Sequence, residues 1–124
     1  MDVLRQPDER HERDRTVTLT WRTGETVADG YGREGEVIIT LDVSHDRYGK
    51  RYVASLRRST VSDGWERYTI GDGVQVYSEP CARFSRSGLA RAQLAAWDAV
   101  GAYEGDHALV CELVALANRE PVAA

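Results

Sequence analysis

The chain offers few residues with chemistry in them: three histidines and two cysteines among 124 residues. Asp42, His45 and Asp46 are spaced so that a carboxylate can polarise an imidazole at the end of a strand. That arrangement would serve as an acid/base pair or a weak metal site. The same residues suit an exposed turn, and no other part of the chain has matching ligand spacing. Turn residues are therefore expected there, with no metal and no cofactor. Cys81 and Cys111 fall in half-buried segments and are expected as free thiols rather than a disulfide. His11 and His107 stand alone.

Two local patterns resemble known phosphate sites. Gly30-Tyr31-Gly32-Arg33-Glu34-Gly35-Glu36-Val37 is similar to the glycine-rich loop of protein kinases. The resemblance covers eight residues, and neither a Val-Ala-Ile-Lys element nor a His-Arg-Asp loop accompanies it. It precedes a strand and opens no helix, so it also departs from the dinucleotide fingerprint. A hairpin loop is the plainer reading. Cys81 lies ahead of a helix, where a thiolate can be activated. Arg86 follows at five residues without an intervening glycine, whereas a cysteine-phosphatase loop places its arginine at six. Cys81 thus reads as a structural thiol, and a small enzyme built on Cys81 or His45 is the third-ranked reading.

The remaining candidates are binding residues. Arg57, Trp65, Arg67, Tyr77 and Glu79 fall on alternating strand positions that point away from the apolar ones. Arginine, tryptophan and tyrosine are the types enriched at binding hot spots. Paired across a solvated sheet, the same residues can simply stabilise strands.

The elements that must hold them follow from periodicity. Val17, Leu19 and Trp21 alternate with polar residues as a half-buried strand. Glu36–Val43 puts Val37, Ile39, Leu41 and Val43 on one face, and Arg51–Val61 makes a third strand. Ser62-Asp63-Gly64 and Gly71-Asp72-Gly73 read as three-residue turns flanking two more short strands, 65–70 and 74–79. In that register Tyr52, Ala54, Leu56, Tyr68, Ile70, Val74 and Val76 form the core face. A two-residue Asp63-Gly64 turn would place Arg57 opposite Ile70 and is set aside. A helix capped by Ser85 or Ser87 carries Leu89, Gln93, Ala96, Trp97 and Val100. A second, capped by Asp106, runs through Ala108–Ala117 and is apolar nearly all round. The expected fold is α+β: a five-stranded antiparallel meander followed by a C-terminal helical hairpin packed on one face.

In the closing helix Leu109, Leu113, Leu116 and Ala117 are assigned to the sheet, and Val110 and Val114 to the preceding helix. Cys111, Ala115 and Asn118 form a thinly covered stripe, a candidate homodimer contact unless the N-terminal arm with Val3 and Leu4 folds over it. Residues 1–15 are charged without an apolar face and read as a mobile arm. Residues 16–120 make one domain, and 121–124 a tail.

Charge decides between partner classes. Sixteen basic residues against twenty acidic ones leave a net charge of −4, and only residues 51–84 lean basic. Nucleic-acid binders concentrate positive charge in a stripe, so nucleic acid stacking on the Trp/Arg/Tyr face ranks second. Lys50 is the only lysine, a bias that fits a high-GC bacterial or phage genome. No run of apolar residues is long enough to span a membrane, and residues 1–15 lack the apolar core of a secretory signal, so a cytoplasmic location is expected. The leading expectation is a non-catalytic module that binds another protein as adaptor, inhibitor or accessory factor.

Overall fold

The computed structural model describes residues 4–28, 34–62 and 65–119, with the backbone alone for residues 62 and 65–72. Five strands form one antiparallel sheet in chain order: β1 (Glu9–Arg13), β2 (Thr16–Ala28), β3 (Glu34–Asp46), β4 (Arg51–Ser62) and β5 (Trp65–Pro80). Two helices follow, α1 (Arg86–Ala102) and α2 (His107–Ala117), and pack on one face of the sheet. This is the α+β meander with a helical hairpin that the periodicity implies. No helix among the described residues is long and apolar enough to cross a membrane.

Alternation places the core. Val17, Leu19 and Trp21 lie opposite Val43, Leu41 and Ile39, and on β4 Leu56 and Ala54 lie opposite Leu41 and Val43. All eight are fully buried, together with Leu89, Ala92 and Ala96 of α1 and Leu113 and Val114 of α2. Each such Leu or Val contributes about 1.5–3 kcal/mol relative to exposure, so this single layer between sheet and helices holds the fold. Trp21 and Trp97 meet within it, ring centroids 5.7 Å apart.

Local signals start both helices. Ser85 is the cap of α1, its Oγ accepting from Gly88 N at 2.9 Å. Tyr52 reaches up from β4 to bracket the same residue, accepting from Ser85 N and donating to Ser85 O, both at 3.1 Å. Asp106 caps α2 through Leu109 N at 3.3 Å. The buried face of α2 is Val110, Leu113, Val114 and Ala117, while Leu109 and Leu116 are only half-buried. The helix is therefore turned from the expected Leu109–Leu113–Leu116 orientation, with Glu112 facing Arg58 at 3.8 Å.

Three strand assignments change. The segment expected as a mobile arm supplies β1, which pairs with β2 from Glu9↔Thr20 to Arg13↔Thr16. All five of its residues are exposed, so no apolar period marks it. Gly71-Asp72-Gly73 makes no turn but lies inside β5. Between Ser59↔Thr69 and Arg57↔Gly73, β5 runs four residues against two on β4, a bulge that glycine tolerates. Ser62 pairs with Trp65, leaving two residues between β4 and β5 rather than three. The register shift between Thr60 and Val61 offsets the slip that such a short connection imposes, and Leu56 pairs with Val74 on the core side in place of the expected Ile70.

β2 and β3 also run further than alternation shows. A shift between Arg22 and Thr26 carries β2 to Ala28, with Gly24 at φ 74°. Thr23 Oγ1 donates to Val37 O at 2.6 Å across this bulge. Residues 30–33 of the glycine-rich pattern lie outside the described residues. Gly35 lies in β3, buried, where a Cβ would collide with Thr60 Cγ2. Its glycine is required by strand packing. Gly35→Ala should destabilise the protein by about 1–3 kcal/mol, the usual cost of overpacking, measured by urea denaturation.

The N-terminal residues lock onto the end of α2. Leu4 is buried, and Arg5 N donates to Asn118 Oδ1 at 2.7 Å. Arg5 Nε donates to Ala117 O at 2.7 Å, satisfying a carbonyl that the helix terminus leaves without a partner. Its terminal nitrogens grip Asp8 at 2.9 and 2.8 Å and reach Arg22 O at 3.0 Å. Trp21 Nε1 in turn donates to Arg5 O at 2.8 Å. The Arg5 guanidinium holds the Asp8 carboxyl below the usual carboxylate range. A depressed folded-state pKa adds stability above the unfolded value, and the stability is lost as pH falls through the folded one. Arg5→Ala should lower stability by about 2 kcal/mol, within the range for charged hydrogen bonds, and its deficit should shrink in acid as Asp8 protonates. Urea midpoints at neutral pH and below pH 4 check both statements.

Candidate binding face

The face of the sheet away from the helices carries a polar cluster. Thr18 lies opposite Asp42, Thr40 opposite Arg57, and Asp42 opposite Ser55. These pairs stack on three neighbouring strands. Thr18 Oγ1 donates to Asp42 Oδ1 at 2.8 Å, and Thr40 Oγ1 donates to Asp42 Oδ2 at 3.1 Å. Arg57 Nε stands 3.5 Å from the same Oδ2 as an ion pair, outside good hydrogen-bond geometry. Two threonines thus fix the carboxylate, and the carboxylate aims the arginine. Asp42 and Arg57 keep 32% and 40% of their side-chain surface open to solvent. Such a partly exposed pair adds little stability, within about 0–1 kcal/mol. It sets a guanidinium beside an oriented carboxylate on the sheet surface. Nearby, Ile38, Thr40 and Ser59 are buried, so the open part of this face lies toward Thr16–Thr20, Ser44 and Ser55.

The five residues expected to form one binding face are divided. Arg57 is on the outer face. The side chains of Trp65 and Arg67 lie outside the described residues. Their backbone belongs to β5, with Arg67 at the register shift between Thr60 and Val61. Tyr77 and Glu79 are not on the outer face. Gln75 pairs with Ser55 and Tyr77 with Ala54, so Val76 is an extra residue. This bulge turns Tyr77 and Glu79 to the side of Ala54 and Tyr52, where the helices pack. Arg67 likewise does not face Tyr77, because the turn that would bring them together is absent.

On the helix side Tyr77 packs against the core, and its hydroxyl donates to the Glu79 carboxylate. Glu79 also lines a shallow cavity of about 230 Å³ with Tyr52, Cys81, Gly88 and Arg91. The thiol there is engaged, Cys81 Sγ donating to Arg83 O at 3.0 Å. His45 is buried on this same side, its Nε2 2.9 Å from Cys81 O and its ring edge-on to Tyr52. Asp42 is on the opposite face, and exposed Asp46 accepts from Tyr48 N at 3.0 Å. The three residues do not converge. No group of three or more metal-ligating side chains forms among the described residues.

Cys81 and Cys111 are both free thiols. On α2, Cys111 Sγ is 3.6 Å from His107 Nδ1, one turn away. Of the stripe Cys111, Ala115 and Asn118, only Ala115 is exposed, and Asn118 is held by Arg5. Alternation alone does not reveal the Asp42 cluster, although Thr18, Thr40 and Asp42 all occupy polar positions of their strands. Only the β2–β3 register brings them together. In the sequence, residues 24–35 read as a loop of undefined length, which hides that register.

Burial, followed by the hydrogen bond and charge of Glu79, pushes the Tyr77 hydroxyl up to about 12. The raised folded-state pKa makes this tyrosine a source of stability below its unfolded value near 10. That stability is lost as pH rises toward 12. In an ultraviolet titration one tyrosine should ionise about two units after the exposed ones. Tyr77→Phe should remove that late step, and Glu79→Gln should move it to lower pH.

Comparison with protein-family models, with curated proteins and with solved structures finds no match for this chain.

Proposed function

We propose that this chain is a non-catalytic protein-binding module that meets its partner through the outer face of the sheet. The observation that carries the reading is the Thr18–Asp42–Thr40–Arg57 cluster. It is an arginine paired with a carboxylate that two threonines orient, on the face of the sheet away from the helices. Arginine is a residue of choice at interfaces, because its planar fork matches carboxylates and its orientation can be fixed before contact. A guanidinium set in place beforehand loses less freedom on binding, which favours affinity. The partner would present a carboxylate or backbone carbonyls to Arg57 and small or polar groups to the threonine rows.

Nucleic acid is the competing occupant, and the net charge of −4 weighs against it, since phosphate contacts supply most non-specific affinity. The wild-type protein, immobilised and exposed to extract of its native host, should retain a protein identified by mass spectrometry. Arg57→Glu and Thr18→Arg should each abolish that capture, because a hot-spot truncation or reversal costs at least about 2 kcal/mol. Leu94→Ser, on the solvent side of α1 and 67% exposed, should leave it intact. Capture unaffected by Arg57→Glu and Thr18→Arg contradicts the assignment of this face. Retention of labelled oligonucleotide in a salt-dependent manner would favour nucleic acid instead.

A further inference from the structure

β1 lies at the end of the sheet and pairs only with β2, so its other edge has no strand partner among the described residues. An open edge is a template for another strand. This one reads Glu9-Arg10-His11-Glu12-Arg13, with every residue exposed. Reversed, it is complementary to itself. Antiparallel pairing about a two-fold axis at His11 sets Glu9 of one copy against Arg13 of the other, and Arg10 against Glu12. Every acid then faces a base.

The adjacent registers do not do this. Moving the pairing by one residue toward either end sets Arg10 against Arg13 or Glu9 against Glu12. Moving it by two sets Glu12 against Glu12 or Arg10 against Arg10. Parallel in-register pairing puts like on like throughout. Directly opposed like charges destabilise a ladder and opposite ones support it, so the charges both permit one register and reject its neighbours. A two-fold axis can pass through a residue pair of an antiparallel ladder whichever way its amides point.

The surroundings are compatible. On the helix side Arg10 Nε reaches Gln93 Oε1 at 3.3 Å, and Arg86 lies 3.6 Å from Glu12. These contacts hold Arg10 and Glu12 upright on their face of the strand, beside Arg10–Glu12 at 3.2 Å. On the other face Arg13 approaches His11 at 3.5 Å. Past the strand, Asp8 would approach Asp14. Asp8 is already neutralised by Arg5, and Asp14 turns the chain out of line at φ 49°.

We propose that β1 is a self-recognition edge through which two copies of this chain join their sheets, antiparallel and centred on His11. Five residues of edge bury much less than the roughly 1,200 Å² of a stable complex, so the association is reversible and dependent on concentration and salt. This edge is separate from the outer sheet face assigned to a partner, and either assignment can stand without the other.

Sedimentation equilibrium at low salt tests the pairing. The wild type should dimerise within the range up to about 1 mM. Glu9→Arg and Arg13→Glu should each weaken dimerisation by at least about tenfold, since each turns two attractions into repulsions. The double variant E9R/R13E should restore it, and an equimolar mixture of the two single variants should form a heterodimer. Thermal melts establish that each variant is folded. Hydrogen exchange of the wild type supplies a reading without substitution: amides of residues 9–13 should slow as concentration rises. A monomer throughout the range, dimerisation indifferent to both single changes, or failure of both the double variant and the mixture to restore it would each overturn the proposal.

Discussion

Arg5 joins the two ends of the chain, and the rest of the arrangement depends on that junction. Its guanidinium and backbone bind the Ala117 carbonyl and the Asn118 side chain, where a helix presents unpaired carbonyls and partial negative charge. The same residue grips Asp8 ahead of β1 and, through its own carbonyl, receives the indole N–H of Trp21. Trp21 is completely buried, and a buried indole needs such a partner. Through its backbone and its side chain, this one residue ties the edge strand, the central core and the final helix together. Leu4, seated in the same core cluster, adds an apolar anchor to the polar one.

The sheet's two faces take their roles from this construction. Helices cover most of the inner face, and the polar residues found there bond to neighbours within the fold. His45 bonds to the Cys81 carbonyl, Tyr52 frames the start of α1, and Tyr77 donates to Glu79. The outer face is left to Thr18, Asp42 and Arg57, whose geometry is set by strands that are themselves fixed from beneath. A charged pair of this exposure does little for stability. It leaves a guanidinium and an oriented carboxylate side by side and partly open to solvent, which makes them a candidate for recognition.

Much of the core was legible from periodicity. Val17, Leu19 and Trp21, the odd positions of β3, and Leu89, Ala96 and Val100 all point inward as alternation or helical spacing requires, and Ser85 and Asp106 cap where their types suggest. What failed was register. Alternation fixes which residues share a face only while the strand stays regular, and β5 departs from regularity at three places. An extra residue at Val76 reverses Tyr77 and Glu79, and Gly71-Asp72-Gly73 can serve a bulge as well as a turn. β1 was invisible for a different reason: both of its faces are solvated, so charge alternation replaced the apolar one. In the closing helix, where nearly every residue is apolar, composition alone could not choose the buried stripe.

Amide hydrogen exchange on a chain that begins at Gln6, set against the full chain, tests the dependence on the latch most directly. Without Arg5 and Leu4, protection should fall together along α2 from Val110 to Asn118, at Trp21 and its neighbours in β2, and across β1. The hairpin of β3 and β4 should be less affected. Unchanged protection in α2 and β1, or a uniform loss over the whole chain, would contradict the account. The first result would make the junction an ornament of a self-sufficient fold. The second would show that the ends are no more coupled to each other than to everything else.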